Sequence, residues 1–158
     1  MISEINATSL LEDLKSIHNN QKISAIKNFY TIILCLGVKR TLIEFIPFIM
    51  ELVDEEDDII LIEINNQLKV ILDFVGETNF EIVYNLYEKI SFTEEEEVKK
   101  SSLESFSLLI SCIKIENFLN FLIERINNYI NSNEEVIAIG LILRILKCIN
   151  SRNDKLIE

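Results

Sequence analysis

The chain has 158 residues, 49% of them hydrophobic, which is enough apolar material for the core of one ordered domain. It carries 15 basic and 26 acidic residues, a formal net charge of −11, and its basic residues form no cluster longer than two. This balance argues against binding to nucleic acid or to an anionic membrane, because both present phosphates.

The amino terminus lacks the basic and apolar segments of a secretory signal, and no apolar run approaches the roughly 18 residues of a membrane span. We therefore expect a soluble protein of the cytoplasm, and in addition of the nucleus.

The three cysteines, Cys35, Cys112 and Cys148, are far apart in apolar segments. A metal site needs clustered ligands, such as two nearby cysteines with histidines, and the chain has a single histidine. We predict buried structural thiols, no metal site and no cofactor.

Turn residues are scarce, with only Gly37, Gly76, Gly140 and Pro47 in the whole chain, whereas sheet proteins need frequent turns. Residues 60–64 alone could form a strand, but longer windows show the three- and four-residue steps of helices. We predict an all-α protein.

The predicted helices come in pairs joined by polar turns. First helices are predicted at residues 10–17, 42–53, 80–90 and 118–130, and turns at 18–22, 54–58, 93–97 and 131–135. The apolar stripe of each second helix begins at Ile23, Ile60, Val98 or Val136, so successive stripes start 37, 38 and 38 residues apart.

A fixed period of about 40 residues with two antiparallel helices is typical of HEAT and armadillo repeats, whose stacking buries a continuous core. We predict one α-solenoid over residues 1–158 with about four HEAT-type helical hairpins, at about 8–38, 39–77, 78–115 and 116–152. The last stripe is Val136, Ile139, Leu143, Leu146 and Ile149.

The joint between the first two repeats has its own pattern. Leu36 and Gly37 are expected to end a helix, and Pro47 is expected to distort the next one. Arg40 and Glu44, four residues apart, favour a surface ion pair over a ladder between repeats.

Residues 36–48 resemble the joint between repeats one and two of the scaffold, or A, subunit of the type 2A protein serine/threonine phosphatase. That family reads Leu-Gly-x-x-Arg-Thr-x-x-Glu-Leu-x-Pro-Phe, then an acidic turn and a helix with Gln-Leu. Here residues 53–58 supply the turn and Gln67-Leu68 the pair, and residues 24–29 are similar to the family's first repeat.

The resemblance implies a non-catalytic scaffold built from HEAT repeats, with similarity over about residues 12–76. In the family the turns inside the early repeats hold regulatory, B-type, subunits, and the catalytic subunit docks on the last five of fifteen repeats. It therefore implies a regulatory-subunit partner, and a catalytic-subunit partner only if a longer chain exists.

Two acidic runs fall in predicted turns inside repeats, where stacking would align them as a ridge roughly ten ångströms apart. Such a ridge favours a basic partner, although carboxylates at helix starts also favour the helix dipole and solubility. The candidate partner-binding residues are Asp54, Glu55, Glu56, Asp57 and Asp58 in the first run, and Glu94, Glu95, Glu96 and Glu97 in the second.

An enzyme is disfavoured, and no residue is predicted to be catalytic. His18 lies in a polar segment without a spaced nucleophile, and three scattered glycines cannot form a phosphate loop. The remaining alternative is a HEAT-repeat adaptor of another kind, a transport or assembly factor that binds a basic or helical segment of a partner protein.

Overall fold

The computed structural model describes residues 4–54 and 56–154. These residues form helices and no β-strand, which confirms the predicted all-α class. None of the described helices is both long and apolar enough to cross a lipid bilayer. The α-helices are α1 Glu4–Asp13, α2 Asn19–Lys27, α3 Phe29–Arg40, α4 Ile46–Val53, α5 Asp58–Val75, α6 Phe80–Ser91, α7 Glu96–Ser111, α8 Ile115–Asn131 and α9 Glu135–Asp154.

The chain forms two compact units, one that ends at Cys112 and one that begins at Ile113. In the first unit α5 is central, and it packs against α2 and α3 before it and against α6 and α7 after it. Second helices thus stack on second helices, and α4 stacks on α6, as in a helical-repeat solenoid. The second unit consists of α8 packed against α9. The exact repeat boundaries and their continuity over residues 1–158 stay predictions.

Two glycines end the second helix of a pair. Gly37 has φ 75° and Gly76 has φ 88°, a backbone region that side-chain-bearing residues rarely adopt. At Gly37 the backbone kinks inside α3, so Phe29 and the residues after it continue α2, while Val38 begins the next helix. The expectation that Gly37 ends a helix is therefore confirmed.

The distortion expected at Pro47 is a turn of π-type helix at Thr41–Phe45, directly before α4. Proline has no N–H to bond the carbonyl four residues earlier, here that of Ile43, so a change in the hydrogen-bond pattern at this point is expected. The hydroxyl of buried Thr41 donates to the carbonyl of Gly37 at 2.9 Å. The helix thus continues through Pro47 instead of ending.

The first pair differs from its prediction, which placed a helix at 10–17 and a turn at 18–22. Instead α1 ends at Asp13 and α2 begins at Asn19. The Ser16 hydroxyl donates to Gln21 and accepts the backbone N–H of His18 at 3.1 Å. Such local bonds compete with helical ones, and they stabilise the turn between α1 and α2 without glycine or proline.

The core of the first unit combines apolar stripes with aromatic rings. The predicted stripes of α5 and α7 are buried, from Ile60 to Val75 and from Val98 to Leu109. Tyr87 stacks on Phe106 with ring centroids 5.3 Å apart, and Phe29 meets Phe45 edge-on at 5.0 Å. These contacts join first and second helices into one core.

A buried polar link also connects α5 and α7. The side-chain amide of Asn65 donates to the Ser102 hydroxyl at 3.0 Å, and the Ser105 hydroxyl donates to the backbone carbonyl of Asn65 at 2.9 Å. Because these groups are withdrawn from water, their hydrogen bonds favour one register of the two helices over its neighbours.

Some residues of the apolar stripes are not buried. Tyr30 is 54% exposed, and Cys35 is exposed and Cys112 half-buried, so the prediction of buried thiols was wrong except at Cys148. Helices α3 and α9 are apolar on more than one side, and periodicity alone does not show which side packs.

Helix α9 shows this most clearly. Four residues of the predicted stripe, Val136, Ile139, Leu143 and Leu146, are exposed, whereas Ala138, Leu141 and Cys148 are buried. The side chain of Ile149 lies outside the described residues. The stripe does share one face, but that face is not the packed one.

Candidate functional site

The first acidic run forms the turn between α4 and α5. Asp54 follows the last residue of α4, Asp57 precedes α5, and Asp58 is its first residue. Glu55 lies outside the described residues. Asp58 is exposed in the first turn of α5, where the positive end of the helix dipole favours a carboxylate.

Residues of α2 hold this turn from one side. The ammonium of Lys22 forms an ion pair with Glu56, whose side chain is 5% exposed, against 15% for that of Lys22. The side-chain amide of Asn19 donates to the Asp57 carboxylate at 2.9 Å. Glu56 is therefore part of the packing between helix pairs and is not displayed to solvent.

Helix α6 holds the turn from the other side. The Lys89 ammonium donates to the Asp54 carboxylate at 2.7 Å and to the backbone carbonyl of Met50 at 2.6 Å. Because carbonyls in the last turn of a helix lack intrahelical partners, a lysine here satisfies one of them at the end of α4. The turn is thus bracketed by cations from the helix pairs before and after it.

The second acidic run begins α7. Glu95 precedes the helix, Glu96 and Glu97 lie in its first turn, and all four carboxylates including Glu94 are exposed. Glu96 accepts a hydrogen bond from Lys99 at 3.2 Å, three residues later on the same helix. This run therefore presents more open negative charge than the first.

The two acidic runs, although alike in the sequence, thus differ in exposure. Sequence reasoning missed Asn19, Lys22 and Lys89, the residues that bind the first run. The signal that would have found them is their spacing, since they lie 38, 34 and 35 residues from their partners, about one repeat.

Arg40 and Glu44 form the predicted surface pair. The guanidinium donates two bonds to one carboxylate oxygen and one bond to the other, at 2.8 to 3.1 Å, and both side chains are about half exposed. The hydrogen bond from Arg40 lowers the pKa of Glu44, and the reverse interaction raises the pKa of Arg40. The pair lies within one continuous helical segment, so the alternative of a ladder between repeats is wrong for Arg40.

His18 and the possible metal ligands are the remaining candidates for a chemical site. His18 is exposed directly before α2. Among the described residues, His, Cys, Asp and Glu side chains form no group of three or more that could hold a metal ion.

An aromatic pocket lies on the second helices of the first unit. Tyr30 of α3 and Phe74 of α5 meet edge-on with centroids 6.5 Å apart, and with Val70 and Asp73 they line an open pocket of about 340 Å³. Asp73 is ion-paired with Lys69 one turn earlier. The pocket therefore offers aromatic faces next to a carboxylate.

No protein-family model matches the chain. It is 29% identical, over 75% of its length, to the regulatory A-type subunit of protein phosphatase PP2A of Schizosaccharomyces pombe. It is 30% identical over 70% of its length to the alpha isoform of the 65 kDa regulatory A-type subunit of protein phosphatase 2A of Arabidopsis thaliana, and 26% identical over 69% to the protein phosphatase 2A scaffold subunit of Dictyostelium discoideum.

The chain spans about a fifth of the length of these relatives, with 20%, 19% and 19% of them covered. The similarity extends beyond residues 12–76, where the motifs lie, because it covers 69 to 75% of the chain in these three comparisons. By sequence the chain is similar to the scaffold, or regulatory A-type, subunits of type 2A protein phosphatases, which confirms the resemblance predicted from its own residues.

Proposed function

We propose that the chain is a non-catalytic scaffold of type 2A protein phosphatase that holds a regulatory, B-type, subunit through the turns inside its helix pairs. The observation that carries the proposal is the similarity to proteins named as scaffold and regulatory A-type subunits of this phosphatase. The stacked helices of the first unit supply the kind of extended surface that repeat proteins use for binding.

In this proposal the exposed carboxylates of the two acidic runs bind the partner. Asp58 and the second acidic run are exposed, and a chain of net charge −11 attracts a basic partner over a distance of about a Debye length. Glu56 acts indirectly in this scheme, since its ion pair with Lys22 fixes the turn that presents Asp58.

The test is binding of a purified regulatory subunit to the intact chain and to the variant Glu94→Lys, Glu95→Lys, Glu97→Lys, measured by isothermal titration calorimetry. We expect the intact chain to bind and the triple reversal to weaken binding by about tenfold or more. Glu56 is left unchanged because its reversal would bury two like charges and unfold the turn.

The matched control reverses Glu104, Glu116 and Glu124, which are exposed and belong to neither the α4–α5 turn nor the α6–α7 turn. It changes the net charge equally, so equal loss in both variants would show general attraction instead of recognition by the turn. No binding by the intact chain would show the proposal to be wrong. The catalytic subunit is expected to bind only where a longer chain supplies further repeats.

The aromatic pocket favours a second candidate, an adaptor for a basic segment of a partner protein. Lysine and arginine side chains bind aromatic faces by cation–π attraction, and a basic segment at Tyr30 and Phe74 would compete with Lys69 for the Asp73 carboxylate. A fluorescent lysine- and arginine-rich peptide is the probe, read by anisotropy with the intact chain and with Tyr30→Ala. Binding that Tyr30→Ala removes, together with no regulatory-subunit binding, would favour the adaptor.

A further inference from the structure

Another pocket of the first unit, called the Phe45 pocket below, lies between the first helix pair and the start of the second. Its apolar walls are Leu11 of α1, Leu36 of α3, Phe45 of the π-type turn and Phe48 of α4, and its volume is about 170 Å³. Phe45 is buried and the other three are half-buried. A cavity of about 150 Å³ lined by such side chains holds one benzene ring. The Phe45 pocket therefore has room for one phenyl or isobutyl group.

Three charged side chains also line the Phe45 pocket, namely Lys15, Arg40 and Glu44. Arg40 binds the Glu44 carboxylate through Nε and one terminal nitrogen, so the other terminal nitrogen keeps its N–H donors outside this pair. Lys15 belongs to no ion pair within the part of the chain that the structure describes. The lining thus carries two positive charges against one negative charge, although the whole chain has a net charge of −11.

The ammonium of Lys15 is held at an apolar wall of the pocket. It lies 5.6 Å from the centre of the Phe48 ring, within the range of cation–π attraction. An aromatic face holds a cation without accepting its N–H groups as a carboxylate does, so these donors stay available. An anion bound at Lys15 would therefore gain a charge-assisted hydrogen bond beside the space that takes an apolar group.

We propose that the Phe45 pocket binds a segment of a partner protein in which a phenylalanine or leucine lies next to an aspartate or glutamate. The apolar side chain packs between Leu11, Leu36 and Phe45. The neighbouring carboxylate binds Lys15. A pocket the size of one ring fits a side chain better than the long alkyl chain of a lipid, and its excess of positive charge selects an acidic neighbour over a basic one.

This proposal goes beyond the scaffold function and does not depend on it. The scaffold proposal concerns a basic partner and the acidic runs at 54–58 and 94–97, none of which lines the Phe45 pocket. The two proposals therefore predict partners of opposite charge at different places, and each can fail without the other.

The first experiment titrates the intact chain with the peptide acetyl-Ser-Asp-Phe-Asp-Ser-amide, followed by NMR of leucine methyl groups. We expect the ring of the peptide to shift the methyl resonances of Leu11 and Leu36. A peptide with lysine in place of both aspartates should bind at this pocket at least about tenfold more weakly. This comparison is stringent, because a chain of net charge −11 attracts the lysine peptide as a whole.

The second experiment repeats the titration with variants of the pocket. Lys15→Gln removes the cation and keeps the pocket volume, and we expect it to weaken peptide binding by about tenfold. The matched control is Lys27→Gln, because Lys27 is exposed and does not line the pocket. Leu11→Phe fills part of the pocket while Lys15 remains, and it should weaken binding as well. Far-UV circular dichroism should be unchanged in all three variants.

Three results would overturn the proposal. The first is no shift of the Leu11 and Leu36 methyl resonances at millimolar peptide. The second is equal affinity of Lys15→Gln and Lys27→Gln, or equal affinity for the aspartate and lysine peptides at this pocket. The third is tighter binding of decanoate than of the peptide with the same methyl shifts, which would assign the pocket to a lipid-like carboxylate.

Discussion

The sequence and the structure lead to different interpretations of Glu56. In the sequence Glu56 is one of five adjacent acidic residues, which suggests a solvent-exposed charge that can bind a partner protein. In the fold it is nearly inaccessible and depends on a lysine 34 residues away. A buried carboxylate without its cation is costly, so we expect this pair to stabilise the α4–α5 turn.

We expect Lys22→Met to lower the free energy of unfolding by about 2–4 kcal/mol, because Glu56 would keep a buried charge without a partner. Urea denaturation followed by circular dichroism measures the change. Lys27→Met, an exposed lysine of the same helix, should cause much less loss. Adding Glu56→Leu to Lys22→Met should restore part of the stability, and failure to do so would contradict the ion-pair explanation.

The Arg40–Glu44 pair allows a titration test at the same scale. The hydrogen bond from Arg40 lowers the pKa of Glu44, so the folded chain holds this carboxylate ionised at pH values where other glutamates begin to protonate. The pair's contribution to stability is then present above the unfolded pKa of Glu44 and is lost as the pH falls through the lower, folded pKa.

Carbon-detected NMR of the glutamate carboxylates should show this lowered pKa, and Arg40→Gln should return the pKa of Glu44 towards its ordinary value. An unchanged pKa in Arg40→Gln would show that another interaction holds the carboxylate ionised.

At the scale of the element, the register between α5 and α7 depends on the polar contacts of Asn65. Apolar stripes favour the packing of two helices but tolerate sliding, whereas a hydrogen bond between Asn65 and Ser102 is satisfied in one register only. The small serine side chains on α7 also leave room for close approach of the two helices.

We expect Asn65→Ala to destabilise the fold by about 1–3 kcal/mol, since the Ser102 hydroxyl would stay buried without its partner. Asn66→Ala is the matched control, because Asn66 is the exposed neighbour on the same helix. Equal unfolding free energies for the two variants, from chemical denaturation, would contradict the role assigned to the link.

The presence of helices was predictable from the sequence, because glycine and proline are scarce and because apolar residues recur every three or four positions. Helix ends were predictable where glycine marks them, as at Gly37 and Gly76, and not where side chains do, as at Ser16. The packed side of α9 was not predictable, since the steps that start at Val136 and those that start at Ala138 are both apolar. The choice between them depends on tertiary packing.

The acidic charges of the candidate site were predictable from the sequence, but which of them are paired with other residues was not. The sequence shows that residues 54–58 are acidic, but only the fold brings Lys89 to Asp54 and Asn19 to Asp57. The binding role of both acidic runs stays a prediction.

At the scale of the whole molecule, buried apolar side chains are unevenly distributed. Helix α5 alone buries seven, from Ile60 to Val75, whereas in α8 and α9 together the described buried apolar residues are Phe118, Leu122, Ala138, Leu141 and Cys148. Segments with fewer buried contacts open at lower free energy.

We therefore expect amide hydrogen exchange, read by mass spectrometry, to be slowest in α5 and faster in both α8 and α9. Protection of α8 and α9 equal to that of α5 would contradict the expectation.

The two glycines that end second helices have a further consequence for how such a chain can change in length. Gly37 and Gly76 lie 39 residues apart and share nearly the same backbone angles, φ 75° and ψ 165° against φ 88° and ψ 158°. The segment between them begins and ends on equivalent geometry, so a duplication or deletion of residues 38–76 would rejoin the backbone without new strain at the joint. The two glycines thus mark the ends of one helix pair, and we expect duplication or deletion between them to change the chain length by one helix pair.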